Sequence, residues 1–120
     1  MRQILRAAHF KRVRIIAGTD AGIVMPGFSL HDELKEYVSA GLSPMEALMT
    51  ATRAPVEFLG ELDAAGTIEQ GKRADFVLLD ANPLEDIENT TKISGVAVQG
   101  RYLDREALDS LLEGARTYRR

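Results

Sequence analysis

The run Val13–Ala17 constrains the chain most. Its residues read as a buried strand, and the next residues, Gly18 to Gly22, turn it sharply and carry a single carboxylate, Asp20. A buried strand of this kind belongs in a parallel sheet with neighbours on both edges. The flanking sequence offers none. Residues 2–10 repeat apolar side chains at helical spacing, with Ile4, Leu5, Ala8 and Phe10 on one side. After the Pro26-Gly27 turn, Leu30, Leu34, Tyr37 and Val38 mark a second helix, which Ser29 opens with Asp32 three residues on and which Gly41 ends. Ser43, Pro44 and Glu46 form the clearest helix start in the sequence, with Met45, Leu48 and Met49 as core candidates. Pro55 permits one more short helix, ending at Gly60.

The character changes near residue 66. Phe76–Leu79 reads as an apolar strand, Asn82-Pro83 as a turn, and "ISGVAVQGRYL" as a strand pair or a bulged strand, bent around Gly95 and Gly100. Asp104 caps a final helix whose apolar face continues through Leu111, Leu112 and Ala115. The fold class expected is mixed α/β. It divides into 1–62, a strand with flanking helices, and 63–120, a β-rich part closed by the C-terminal helix.

Composition removes several function classes. The net charge of −3 argues against nucleic-acid binding. With no cysteine there are no disulfides and no thiolate metal sites. No apolar run approaches the roughly 18 residues of a membrane span. Residues 1–14 carry five basic side chains and no acid, a composition shared with mitochondrial leaders, but they lack serine and run straight into the strand. They read as a short helix with a solvated basic face, and the chain as cytoplasmic.

Taken in order, "IIAGTDAG", "SLHDELKEYVSAGLSPMEALMTATRAPVEFLG", "GTIEQGKRADFVLLDANPLEDI" and "ISGVAVQGRYL" resemble the C-terminal third of a metal-dependent amidohydrolase. The branch resembled contains imidazolonepropionase and the Xaa-Pro dipeptidase-like enzymes. The resemblance implies a piece of a (β/α)₈ barrel, its last strand and following helices, joined to the C-terminal strands of a small β-sandwich. It implies that Asp20 is the carboxylate at the end of the eighth strand, which binds metal and takes a proton from the attacking water. A carboxylate just past the C-terminal end of a barrel strand sits where such barrels do chemistry. Gly22 and His31 become candidates for a substrate loop.

The family's His-x-His pair and its other ligands have no counterpart here. The chain has two histidines, His9 and His31. A catalytic zinc site takes three protein ligands, and 120 residues are fewer than the roughly 200 a whole barrel needs. The implied function is hydrolysis of C–N bonds by metal-activated water, with zinc held only if other ligands complete the site and with the isolated chain inactive. A truncated gene or an incomplete reading frame would account for the length. The implied substrate is a small molecule or dipeptide in a full-length context. The alternative is a non-catalytic α+β module that self-associates or binds protein. Read from the residues alone, Asp20 is equally a turn residue or helix cap, and His31 a first-turn helix residue beside Asp32 and Lys35. Because the strand edges and helix faces lack partners, a homo-oligomer, with or without swapped elements, is expected.

Overall fold

A computed structural model describes residues 2–20 and 27–117. Four helices come first: α1 (Arg2–Phe10), α2 (Ser29–Ser39), α3 (Pro44–Ala51) and α4 (Arg53–Leu59). The strand β1 (Phe76–Leu79), a 3₁₀ turn (Ile87–Thr91), the strands β2 (Ile93–Val98) and β3 (Arg101–Asp104), and α5 (Arg105–Thr117) follow. The strands form one antiparallel sheet in the order β1-β2-β3. The mixed α/β reading therefore stands. No helix among the described residues is long and apolar enough to cross a membrane.

The helices form where local sequence directs them. Ser43 accepts from the Glu46 N–H while the Glu46 carboxylate accepts from the Ser43 N–H at 2.8 Å, a complete capping box with Pro44 in the first turn. Gly60 ends α4 in a left-handed conformation. Asp104 accepts from the Ala107 N–H at 2.9 Å and starts α5. The start of α2 differs from expectation. Ser29 is already helical, and Phe28 stands at the cap without a side-chain hydrogen bond. The Gly27–Phe28 turn starts the helix early, because the Phe28 carbonyl accepts from the His31 N–H at 3.0 Å. Pro26 lies outside the described residues.

Val13–Ala17 corrects a larger expectation. It runs extended but, among the described residues, pairs with no strand; one of its amides, that of Ala17, donates to the Thr50 carbonyl at 2.9 Å. A parallel strand is made by its neighbours, and among the described residues none flank this one. Ile15 and Ala17 still pack on the core, whereas Val13 is 58% exposed. Near Gly95 the bulged-strand alternative holds, because Leu78 pairs with Gly95 but Leu79 with Ile93, a register shift beside it. Gly95 sits within β2, opposite Asp104, and the chain reverses at Gln99-Gly100. Both turn residues have positive φ, +51° and +79°, as a two-residue hairpin with right-handed twist requires.

The core lies between α2, α3 and the 3₁₀ turn. Leu34, Tyr37, Leu42, Ala47 and Ile87 are its buried members. Ile87 brings the β-rich half into a core otherwise built by helices. The 3₁₀ turn that carries it starts at Asp86, whose carboxylate accepts from the Glu88 N–H at 2.9 Å. Leu48 packs against this core, but Met45 and Met49, expected within it, are exposed. They point away because α3 buries only the face bearing Ala47 and Thr50.

Candidate functional site

Asp20 ends the extended segment. It is exposed and has φ +47°, a left-handed conformation that aspartate tolerates better than most residues. Just before it, the Gly18 N–H donates to Glu33 Oε1 at 3.0 Å. Glu33 projects from α2, and the same oxygen accepts from the Tyr37 hydroxyl one turn later. Its other oxygen, Oε2, is buried and meets no donor among the described residues. Burial, and then the bond to Glu33, raise the Tyr37 phenol above its ordinary range, so it stays a neutral donor.

Asp32 and Glu33 both lie near the start of α2, where acids suit the positive end of a helix. Asp32 is exposed, but Glu33 turns inward. The signal was present in the spacing. Leu30, Glu33, Leu34 and Tyr37 recur at i, i+3, i+4 and i+7, so Glu33 falls on the apolar face.

His31 lies elsewhere. Its Nδ1 is 3.0 Å from Thr90 Oγ1, and that hydroxyl donates to the Ile87 carbonyl at 2.8 Å. With its one proton so used, Thr90 accepts, so His31 Nδ1 is the donor of that contact. His31 lines an open cleft of about 360 Å³ between α2 and the 3₁₀ turn, together with Asp32, Lys35, Asp86 and Glu88. Lys35 pairs with Glu88 across it, and Glu88, by hydrogen bond and charge, holds the ammonium above its ordinary range. Asp20 does not line this cleft. The two candidates are thus not brought together there, and Gly22 lies outside the described residues. His9 is half-buried, with Nε2 3.9 Å from Glu46.

An exposed carboxylate can take a proton or supply one ligand to a cation. Among the described residues, no three side chains of the histidine, aspartate or glutamate type stand together so as to hold a metal ion. Asp20 supplies one such ligand, and no second or third stands with it among the described residues.

The model of the amidohydrolase family matches residues 1–103. Ochratoxinase from Aspergillus niger is 37% identical over 78 residues, which are 63% of this chain and 16% of ochratoxinase. A Xaa-Pro dipeptidase solved with methionine bound in its active site superposes with a TM-score of 0.80 at 33% identity, over 86% of this chain and 25% of that one. A putative prolidase from Bifidobacterium longum gives 0.77 at 35%, over 92% and 29%. Molinate hydrolase gives 0.78 at 28%, over 85% and 26%. The chain thus spans about a sixth of the curated relative's length and about a quarter of these solved chains. With the family match running over residues 1–103 of 120, the chain belongs to the amidohydrolase family.

Proposed function

We propose that this chain acts as the C-terminal portion of a hydrolase of C–N bonds, and that Asp20 is the carboxylate it contributes. In this reading residues 1–62 correspond to the last barrel strand with its helices, and 63–120 to the sandwich strands with a closing helix. The observation that carries it is Asp20 itself. It stands exposed, held left-handed, at the end of an extended segment in a chain that belongs to the amidohydrolase family.

Members of the family generally use metal ions. The residues described here do not fit a complete site, so the remaining ligands belong to other parts of the assembled hydrolase. Zinc is the metal proposed, and a small molecule or dipeptide the substrate. Alone, the chain is proposed to be inactive. His31 would shape the substrate loop rather than bind metal, because its cleft is not lined by Asp20.

A second reading, a module that self-associates, draws on the exposed apolar side chains of the N-terminal half. Ile4, Phe10 and Val13 are 73%, 84% and 58% exposed. One experiment separates the two. Zinc per chain is measured by elemental mass spectrometry on gel-filtered protein, for the parent and for Asp20→Asn, which keeps the tolerance for positive φ. Hydrolysis of Xaa-Pro dipeptides is then assayed after adding a polypeptide that carries the His-x-His ligands. The hydrolase reading expects no stoichiometric zinc in the chain alone, and activity on assembly that Asp20→Asn abolishes. Assembly with full activity in Asp20→Asn would sink it.

A further inference from the structure

We propose that Glu33 is a positioning residue for Asp20: its carboxylate holds the Gly18 amide and so fixes the backbone that leads into the left-handed Asp20 and presents its side chain. This rests on Asp20 being the carboxylate the chain contributes to hydrolysis.

Glu33 stands where stability alone would place a leucine. It shares a helix face with Leu34 and Tyr37, both buried, while Asp32 and Glu36 on the same helix are exposed. A carboxylate oxygen with neither water access nor a donor is costly to bury, and a residue that breaks a local packing rule in this way is a mark of a functional position. What it gains is one contact that spans fifteen residues of chain, from α2 to Gly18.

That contact lies where the segment most needs it. Between residues 14 and 20, two amides are tied among the described residues: Ala17 to the Thr50 carbonyl and Gly18 to Glu33. They are consecutive, and two residues further on Asp20 takes its left-handed conformation. The Asp20 carboxylate has no hydrogen bond of its own among the described residues, so its direction is inherited from the backbone behind it. The Tyr37 hydroxyl, donating to the same Glu33 oxygen, keeps that oxygen turned toward Gly18. A catalytic carboxylate misplaced by about an ångström loses much of its effect, so a fixed backbone has a direct consequence for rate.

The test separates holding from folding. Glu33→Leu removes the acceptor and also the orphaned oxygen, so it should melt at or above the parent temperature. Glu33→Gln keeps a carbonyl oxygen that can accept from Gly18. Hydrogen exchange in the ¹⁵N-labelled chain should show Gly18 protection falling about tenfold in Glu33→Leu and largely kept in Glu33→Gln. In the hydrolase assembled with the missing ligands, Glu33→Leu should lower kcat about tenfold with KM little changed, and Glu33→Gln should restore most of it. Unchanged Gly18 protection in Glu33→Leu overturns the inference. So does full kcat in Glu33→Leu when Asp20→Asn is inactive. Full activity in Asp20→Asn overturns the reading of Asp20 instead.

Discussion

At the scale of single residues, backbone conformation and close approach decide what each position accepts. Asp20 at φ +47° is in a region where a side chain branched at Cβ is strained. Asp20→Val should therefore destabilise the chain by about 1–2 kcal/mol, whereas Asp20→Asn should stay within about 0.5 kcal/mol. Urea titration followed by circular dichroism measures both. A valine that is tolerated would mean that the backbone relaxes freely. Gly95 faces a different constraint. The ring of Tyr102 on the neighbouring strand lies against its Cα, with Cζ 2.6 Å from where a Cβ would stand. Gly95→Ala should cost about 1–3 kcal/mol by overpacking. In Gly95→Ala combined with Tyr102→Ala the loss should be clearly less than the sum of the single losses, because the clash has gone. Additive losses would mean that the ring already swings aside.

At the scale of elements, α3 shows how much a helix owes to its start. Ser43→Ala removes the acceptor for the Glu46 amide and should cost about 1 kcal/mol. Glu46 adds a pH dependence. Its carboxyl lies below the ordinary glutamate range, first because the Ser43 N–H donates to it, then because the Ser43 hydroxyl does. A carboxylate with a depressed folded pKa stabilises fully above its unfolded value of about 4.3, and that contribution is lost as pH falls through the folded value. Stability measured from pH 7 down to pH 3 should therefore fall less steeply below pH 4 in Glu46→Gln than in the parent. An identical slope would mean that the box is broken in solution. Glu36, held low by Arg2, and Asp75, held low by the Gln99 N–H, shift in the same sense; all three carboxylates are exposed, so screening keeps each contribution small. At α5 the start is fixed by Asp104 and by Arg105, which donates to the Ile93 carbonyl at 2.9 Å. Ala107 and Leu108 are half-buried, but every position from 111 to 117 is exposed, Leu111 and Leu112 among them, so the later part of the apolar stripe read from the sequence stays open.

At the scale of the whole molecule, surface is in excess. A folded monomer of 13.2 kDa should expose about 6,400 Å², but this chain exposes 9,137 Å². Its radius of gyration is 15.6 Å, against about 13.6 Å for a compact domain of this length. Among the described residues no large side chain is fully buried. The described core is a small cluster with apolar faces left open on α1, on the segment after it, and on α5. Such faces associate. Light scattering at micromolar concentration should therefore report a species heavier than the 13.2 kDa chain. A clean monomer would count against both self-association and the excess of open surface.

Local chemistry was legible because it acts within a few residues. The Ser43–Glu46 box, the stop at Gly60, the Asp104 cap and the strand Phe76–Leu79 depend on neighbours in sequence, and each stands where the sequence put it. The order of motifs also carried the family, because it samples most of the chain at once. Contacts over long separations were not legible. Val13–Ala17 has the composition of a strand, but a strand in a parallel sheet exists only when other strands lie beside it. Glu33 sits on an apolar helix face in the sequence, yet nothing in its spacing names Gly18 as its partner. The three-dimensional arrangement also set His31 against Thr90 in a cleft of its own, fifty-nine residues away in sequence. Sequence by itself determined the helices, the hairpin strands and the family, since these follow from short-range propensity and pattern. Tertiary structure decided which carboxylates face inward, which amides they hold and which apolar faces stay open, because burial and hydrogen bonding are settled only when distant segments meet.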